Sequence, residues 1–415
     1  MSLLLFALFL LFLAMGVPIA VAIGAGTMIA LDQAGTPLLV MPQQMFQGIN
    51  SFALVAIPMF ILAGDIMSKG QVSERLVALA EALLGFLRGG LSIVSVLAGM
   101  FFAAISGSGA ATTAAVGSTL IPELKRKGYD PASAASLIAA SGTIGVVIPP
   151  SVPIIIYAVI AQESVARLFL AGIIPGIAMG VGLMAVALVQ GYRRAYPRGA
   201  AFSLRTIWRS FRAAFWGLMT PVIILGGIFS GYFTPSEAAV IAVNYAILVA
   251  LFIYRDLSLR DLYHVLIRSA VTTAVIMIVI SASAALSWAL SSWQVPSAIA
   301  NSVLGLSTNT WMLLALILLL ILLTGIFIET ASALIILTPI LLPLAVQLGI
   351  DPVHFGIIIV VGLAIGMITP PVAINLYVAS SVTGLGLERI ARAVLPYLAV
   401  LVLVLVLIAY LPLII

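Results

Sequence analysis

Long apolar stretches dominate the chain, and the polar residues between them are few and clustered. Apolar runs beyond the ~20 residues that a spanning helix needs recur from end to end. They predict crossings near residues 3–31, 51–67, 131–161, 168–190, 213–231, 236–254, 269–290, 353–381 and 394–412. From Gln71 to Phe86 the pattern differs. Leu76, Leu79, Leu83 and Phe86 share one helical face while Glu74, Arg75 and Glu81 lie elsewhere, as in a helix lying on a membrane surface. Two further apolar blocks are broken in the middle. One lies between Arg88 and Lys125 and breaks at Ser106-Gly107-Ser108-Gly109; the other, near 310–345, breaks from Thr324 to Thr330. Arms of ~16 residues reach ~24 Å, short of the ~30 Å apolar core, which predicts re-entrant hairpins.

The blocks repeat. Gly128-Tyr129-Asp130-Pro131, Gly145 to Pro149-Pro150 and Pro175 return 221 residues later as Gly349-Ile350-Asp351-Pro352, Gly366 to Pro370-Pro371 and Pro396. A duplicated helix with a Pro-Pro break marks a transporter built from two repeats, whose sites lie where the broken helices meet. The fold expected is an all-α polytopic membrane protein.

Composition agrees and removes other classes. Hydrophobic residues make up 63% and charged residues 7%, against about 25% charge in a soluble chain. With no cysteine there is no disulfide or thiol site, and His264 and His354, read as loop residues, make a histidine metal centre improbable. The basic residues sit in loops, so the net charge of +5 does not indicate a nucleic acid partner. They cluster at Lys69–Arg88, Lys125-Arg126-Lys127, Arg193–Arg212, Arg255–Arg268 and Arg389–Arg392, whereas 32–50, 291–309 and 346–352 have none. Short basic loops stay in the cytoplasm. Lys125-Arg126-Lys127 aligns with uncharged Val346-Gln347-Leu348, so the two repeats are read as inverted.

Breaks at membrane depth are tolerated only where they line a cavity or are buried in protein. Each frees carbonyls for a cation and presents helix N-termini to an anion. The first tip and break supply Ser106, Gly107, Ser108, Gly142, Thr143 and Gly145; the second supply Gly325, Thr330, Gly366 and Thr369. Hydroxyl and carbonyl oxygens without a carboxylate suit a weakly held monovalent cation such as Na⁺. Gly and Ser that merely let helices approach closely are the competing explanation. For a substrate, Asn375 is polar inside a spanning helix, with Ser108, Thr112 and Ser151 taken as its counterparts in the first repeat. Asp65 is read as an interfacial ion pair with Lys69, Glu329 as a cation ligand, a proton carrier or a cap, and Thr234-Pro235-Ser236-Glu237 as a helix start.

Taken together, Ser106-Gly107-Ser108-Gly109 with Thr112, Pro149-Pro150-Ser151, Gly231 to Ala239, and Gly366 to Pro371 with Asn375 resemble the large permease subunit of tripartite ATP-independent periplasmic (TRAP) transporters along essentially the whole chain. The resemblance implies a bacterial inner-membrane secondary transporter, not an enzyme, that moves as an elevator, needs no cofactor and uses Na⁺ as its coupling ion. It implies a small carboxylate cargo (a C4-dicarboxylate, sialic acid, sugar acid or keto acid) delivered by a periplasmic substrate-binding protein. It also implies a small four-helix membrane subunit, expected as a separate protein because the chain starts at its first span. On this likeness 1–87 and 232–309 are scaffold, 191–231 is a basic loop and linking span, and 88–190 and 310–415 form the transport part. The latter hold hairpins 88–125 and 310–345, broken helices 131–161 and 353–381, and the spans 168–190 and the last.

The nearest alternative is a stand-alone Na⁺/dicarboxylate symporter or an ion antiporter of the same superfamily. A channel would show repeated charged pore residues. A membrane enzyme would need a metal motif or a Ser-His-Asp set, and a pump a Gly-rich phosphate loop; the chain has none of these.

Overall fold

The computed structural model describes residues 2–199, 201–298 and 309–411. Among them the only β feature is a single bridge between Arg88 and Arg198. Everything else that is regular is helical, and eight helices are long and apolar enough to cross a membrane, among them Thr310–Phe327 and Thr330–Gln347, the arms of the second hairpin, which are longer than the ~16 residues expected.

The chain enters as α1 (Ser2–Ala14) and α2 (Ile19–Gln33). The single crossing expected near 3–31 is instead a fold-back. Gly16 takes φ 76°, the Val17 N–H returns to the Phe12 carbonyl, and Pro18 follows. That is a glycine helix stop sealed by proline. An added Cβ on Gly26 would lie 3.7 Å from the Phe9 nitrogen, so α2 runs back along α1. A helix α3 (Val40–Ile49) then occupies part of the expected outer loop. After it come α4 (Ala56–Lys69) and the amphipathic α5 (Val72–Leu84), whose Leu76 and Leu79 are buried.

The first hairpin is α6 (Gly90–Ser106) and α7 (Gly109–Arg126), and the first broken helix is α8 (Pro131–Gly142) and α9 (Val152–Ala161). Next are α10 (Val165–Arg193), α11 (Leu204–Phe229), α12 (Pro235–Leu248) and α13 (Leu259–Ser292). The stretch 291–309, read as an uncharged outer turn, lies mostly outside the described residues. The second hairpin is α14 (Thr310–Phe327) and α15 (Thr330–Gln347), the second broken helix α16 (Pro352–Gly366) and α17 (Ile374–Thr383), and α18 (Leu387–Tyr410) closes the chain.

The repeat seen in the sequence is a repeat of structure. Adding 221 to the bounds of α7 gives those of α15, and the starts of α8 and α16 correspond likewise. Gly128 and Gly349 take φ 81° and 79°, which glycine adopts without steric penalty. Asp130 and Asp351 each cap the following helix, accepting from Ser133 N–H at 3.1 Å and Val353 N–H at 2.9 Å, with proline at the first turn. Pro149-Pro150 and Pro370-Pro371 are both cis. The expected start at Thr234 is a complete capping box, in which the Thr234 N–H donates to Glu237 Oε2 at 2.8 Å and the Glu237 N–H donates to Thr234 Oγ1 at 3.3 Å. His264 and His354 prove to lie in the opening turns of α13 and α16, not in loops.

Candidate functional site: two hairpin tips and two helix breaks

α6 ends at Ser106, Gly107 turns with φ 60°, and Ser108 caps α7 by accepting the Ala111 N–H at 3.4 Å. Ser106 Oγ lies 2.9 Å from Thr112 Oγ1, and Thr112 donates to the Ser108 carbonyl at 2.8 Å. The break between α8 and α9 abuts this tip. A Cβ added at Gly145 would fall 2.6 Å from both the Ser108 carbonyl oxygen and Thr112 Oγ1; one at Gly107 would fall 2.7 Å from the Pro150 carbonyl oxygen. One at Gly142 would overlap Thr113 Oγ1. Glycine at these points is what lets backbone meet backbone. Thr143 and Ser151 are fully buried beside the cluster but satisfy their own turns, donating to the Ala140 carbonyl at 2.7 Å and the Val146 carbonyl at 2.6 Å.

The second tip differs. Here the close approach is between α14 and α16: a Cβ on Gly325 would fall 3.2 Å from Gly366 Cα, and one on Gly366 would overlap the Gly325 carbonyl. Glu329 caps α15, accepting the Ser332 N–H at 3.2 Å. Thr369 donates to the Ile365 carbonyl at 2.9 Å, whereas the buried Thr330 Oγ1 has no partner.

The two half-sites touch. A Cβ on Gly109 would lie 2.8 Å from Met367 Cε of the second break. Asn375 is fully buried against the first break: its Nδ2 donates to the Ala139 carbonyl at 3.1 Å, and its Oδ1 has no partner. The 221-residue offset pairs Asn375 with Ile154, so Ser108, Thr112 and Ser151 are not its counterparts; the repeats diverged at this point. Thr330 Oγ1 at the second tip and Asn375 Oδ1 at the first break are thus each a buried oxygen without a partner, the donor type that a hard cation such as Na⁺ takes.

Both tips and both breaks open on one cavity of about 370 Å³. Its other wall is α4, through Ile61, Gly64 and Asp65, and α13, through Arg268, Thr272 and Ile276 spaced along one helical face. Asp65 accepts a hydrogen bond from Ser269 Oγ at 2.7 Å; this replaces the pair expected with Lys69. Arg268 is exposed to the cavity, and its guanidinium makes no ion pair or hydrogen bond among the described residues. The sequence grouped Arg268 with a basic loop. Its signal was depth, since it is the tenth residue of α13, ~14 Å in from the helix start at 1.5 Å per residue.

Residues 6–414 match the family model described as "Tripartite ATP-independent periplasmic transporter, DctM component". The chain belongs to this family. It is 44% identical over 369 residues to the C4-dicarboxylate TRAP transporter large permease protein DctM of Pseudomonas aeruginosa, covering 89% of this chain and 86% of that one. It is 43% identical over 410 residues to the isethionate TRAP transporter permease protein DctMQ of Oleidesulfovibrio alaskensis, where 98% of this chain spans 65% of the relative's length. The crystal structure of the Alcanivorax borkumensis YdaH transporter shares its fold, with a TM-score of 0.65 and 18% identity over 89% of this chain and 87% of that one. Membership of the DctM family makes the chain a transporter component of the bacterial inner membrane, not an enzyme, in accord with its eight helices able to span a bilayer.

Proposed function

We propose that the chain is the large permease of a Na⁺-coupled uptake system for a small organic carboxylate, loaded by a periplasmic substrate-binding protein and assembled with a small four-helix membrane subunit. The observation that carries this reading is the convergence of two tips and two breaks on one cavity, with the Arg268 cation on the opposite wall. Na⁺ at the tip–break contacts orders the hairpins. The carboxylate then docks in the cavity against helix N-termini and Ser108, backed by the buried Thr112 and Asn375, and Arg268 supplies the facing positive charge.

Movement is an elevator step of 88–190 with 310–415 against a scaffold of 1–87 with 232–309, linked through 191–231. Hydrogen bonds between the repeats support that division. Asn375 binds Ala139, Tyr397 and Ser133 share Gln190, and Asp130–Arg389 and Arg167–Asp351 pair at 3.7 and 3.9 Å. On the other side Ser236 binds Phe52, Ser281 binds Met45 and Ser269 binds Asp65. All but Ser133–Gln190 join the two repeats within one proposed half; across the boundary Ser73 Oγ donates to the Ala115 carbonyl at 3.0 Å and Lys127 pairs with Glu81 at 3.5 Å. The positive-charge asymmetry of the loops supports opposite repeat orientations and hairpins entering from opposite faces.

The test is uptake into proteoliposomes holding the chain and its small subunit under an inward Na⁺ gradient, with the binding protein added or omitted. Uptake only with both Na⁺ and the binding protein is the expected result. Uptake without the binding protein would make the system a stand-alone symporter, and uptake indifferent to Na⁺ would overturn the coupling.

A further inference from the structure

The first turns of α11 carry charge that nothing among the described residues answers. Six arginines fall between Arg193 and Arg212, and the nearest carboxylates in sequence are Glu163 and Glu237. Arg194 is held by Asp130 at 3.2 Å. Arg205, Arg209 and Arg212 are exposed, and their guanidinium groups make no ion pair or hydrogen bond among the described residues. Their spacing of four and three residues puts them on one helical face. With Thr206 and Trp208 they surround an open recess of about 760 Å³.

Position along the helix sets the depth. α11 has 26 residues, ~39 Å at 1.5 Å per residue, about 9 Å longer than the ~30 Å hydrocarbon core. With its C-terminal end at the far boundary, its first ~6 residues stand at headgroup level, and helical side chains point back towards the N-terminus. Trp208 is 62% exposed, Phe202 55% and Leu204 73%, an apolar flank beside the guanidinium groups. Trp208 stacks on Phe211 at 5.9 Å, continuing an aromatic row into the span. A soluble anion has no use for that flank; an acyl chain does.

We propose that Arg205, Arg209 and Arg212 bind the phosphate headgroup of an anionic phospholipid in the cytoplasmic leaflet, with Trp208 against its glycerol and upper acyl region. Guanidinium groups hold phosphate oxygens in paired hydrogen bonds. The cytoplasmic leaflet is where anionic lipid and basic loops coincide.

The experiment is native mass spectrometry of the purified full chain, alone and with its small membrane subunit, released from mixed micelles with equimolar phosphatidylglycerol and phosphatidylcholine. The wild type is expected to retain phosphatidylglycerol at least about fivefold over phosphatidylcholine, and R205Q/R209Q/R212Q to lose that preference, at about fivefold per arginine near a charged surface. R205K/R209K/R212K, which keeps the charge, should retain a partial preference; unchanged thermal unfolding of both variants shows that the fold is intact. Equal phosphatidylglycerol retention by the wild type and the glutamine variant overturns the proposal. So does displacement of the lipid by millimolar inorganic phosphate, which would make this a soluble-anion site. So does a glutamine variant that loses its small membrane subunit while keeping its lipid, which would make the face a protein contact.

Discussion

Ser108 and Glu329, 221 residues apart, cap the second arms of the two hairpins with the same bond, each side chain accepting the N–H three residues on. One tip therefore presents a neutral hydroxyl to the cavity and the other a carboxylate. The helix N-terminus behind each favours negative charge, so the two half-sites are not equivalent towards a cation. Glu329→Gln keeps an acceptor for the cap and removes the charge. It is expected to leave thermal stability within about 0.5 kcal/mol while raising the half-saturating Na⁺ concentration for uptake several-fold. Ser108→Ala removes the cap, at about 1 kcal/mol, and weakens Na⁺ dependence from the other tip. A wild-type Na⁺ response in Glu329→Gln would reduce that carboxylate to a capping role.

Gly366 tests the second tip–break contact. Its missing side chain is the space that the Gly325 carbonyl occupies. Gly366→Ala must push α14 away from α16 or distort the backbone, and overpacking of this kind costs about 1–3 kcal/mol. Uptake should be abolished and the melting temperature of the purified protein lowered. An unchanged melting temperature would show that the contact yields easily and is not what aligns the tip.

The duplication was legible in the sequence because its markers are local. Gly128 and Gly349 force a left-handed turn, Asp130 and Asp351 followed by proline start helices, and the Pro-Pro pairs end them. The fold-back at Gly16-Val17-Pro18 had the same kind of local signal, masked by apolar runs on both sides that read as one span. What was hidden depends on contacts across hundreds of residues. Ser269 lies 204 positions from Asp65 and the Ala139 carbonyl 236 from Asn375. No periodicity announces either, and a nearby Lys69 offered a plausible wrong partner.

Gly64 marks a close approach of the proposed scaffold and transport parts. A Cβ there would stand 3.0 Å from the Ser106 carbonyl oxygen and 3.1 Å from Ser106 Cα, tight against backbone that cannot swing aside. If the first tip slides along α4, a side chain at this position obstructs the path in every state. Gly64→Val is expected to slow uptake by about tenfold or more, ~1.4 kcal/mol on the barrier, while Na⁺ binding to the purified protein stays within about twofold. Unimpaired uptake would place the moving boundary elsewhere.

Arg268 faces the tips from the opposite wall, and its charge has no hydrogen-bonded or ion-paired acceptor among the described residues. A cation left unpaired in a cavity that admits an anion attracts that anion, and an exposed pair is worth at most about 1 kcal/mol in water but more as the cavity dries. Arg268→Gln should therefore raise the apparent KM for a carboxylate substrate by about fivefold to tenfold with a smaller change in kcat, the pattern of lost binding. Arg268→Lys should recover part of the loss, because charge survives without the planar fork. Raising ionic strength should shrink the gap between wild type and Arg268→Gln, since screening weakens an exposed charge. A gap that persists at high salt would mean that Arg268 acts by packing against Thr272 and the α13 face instead of by its charge.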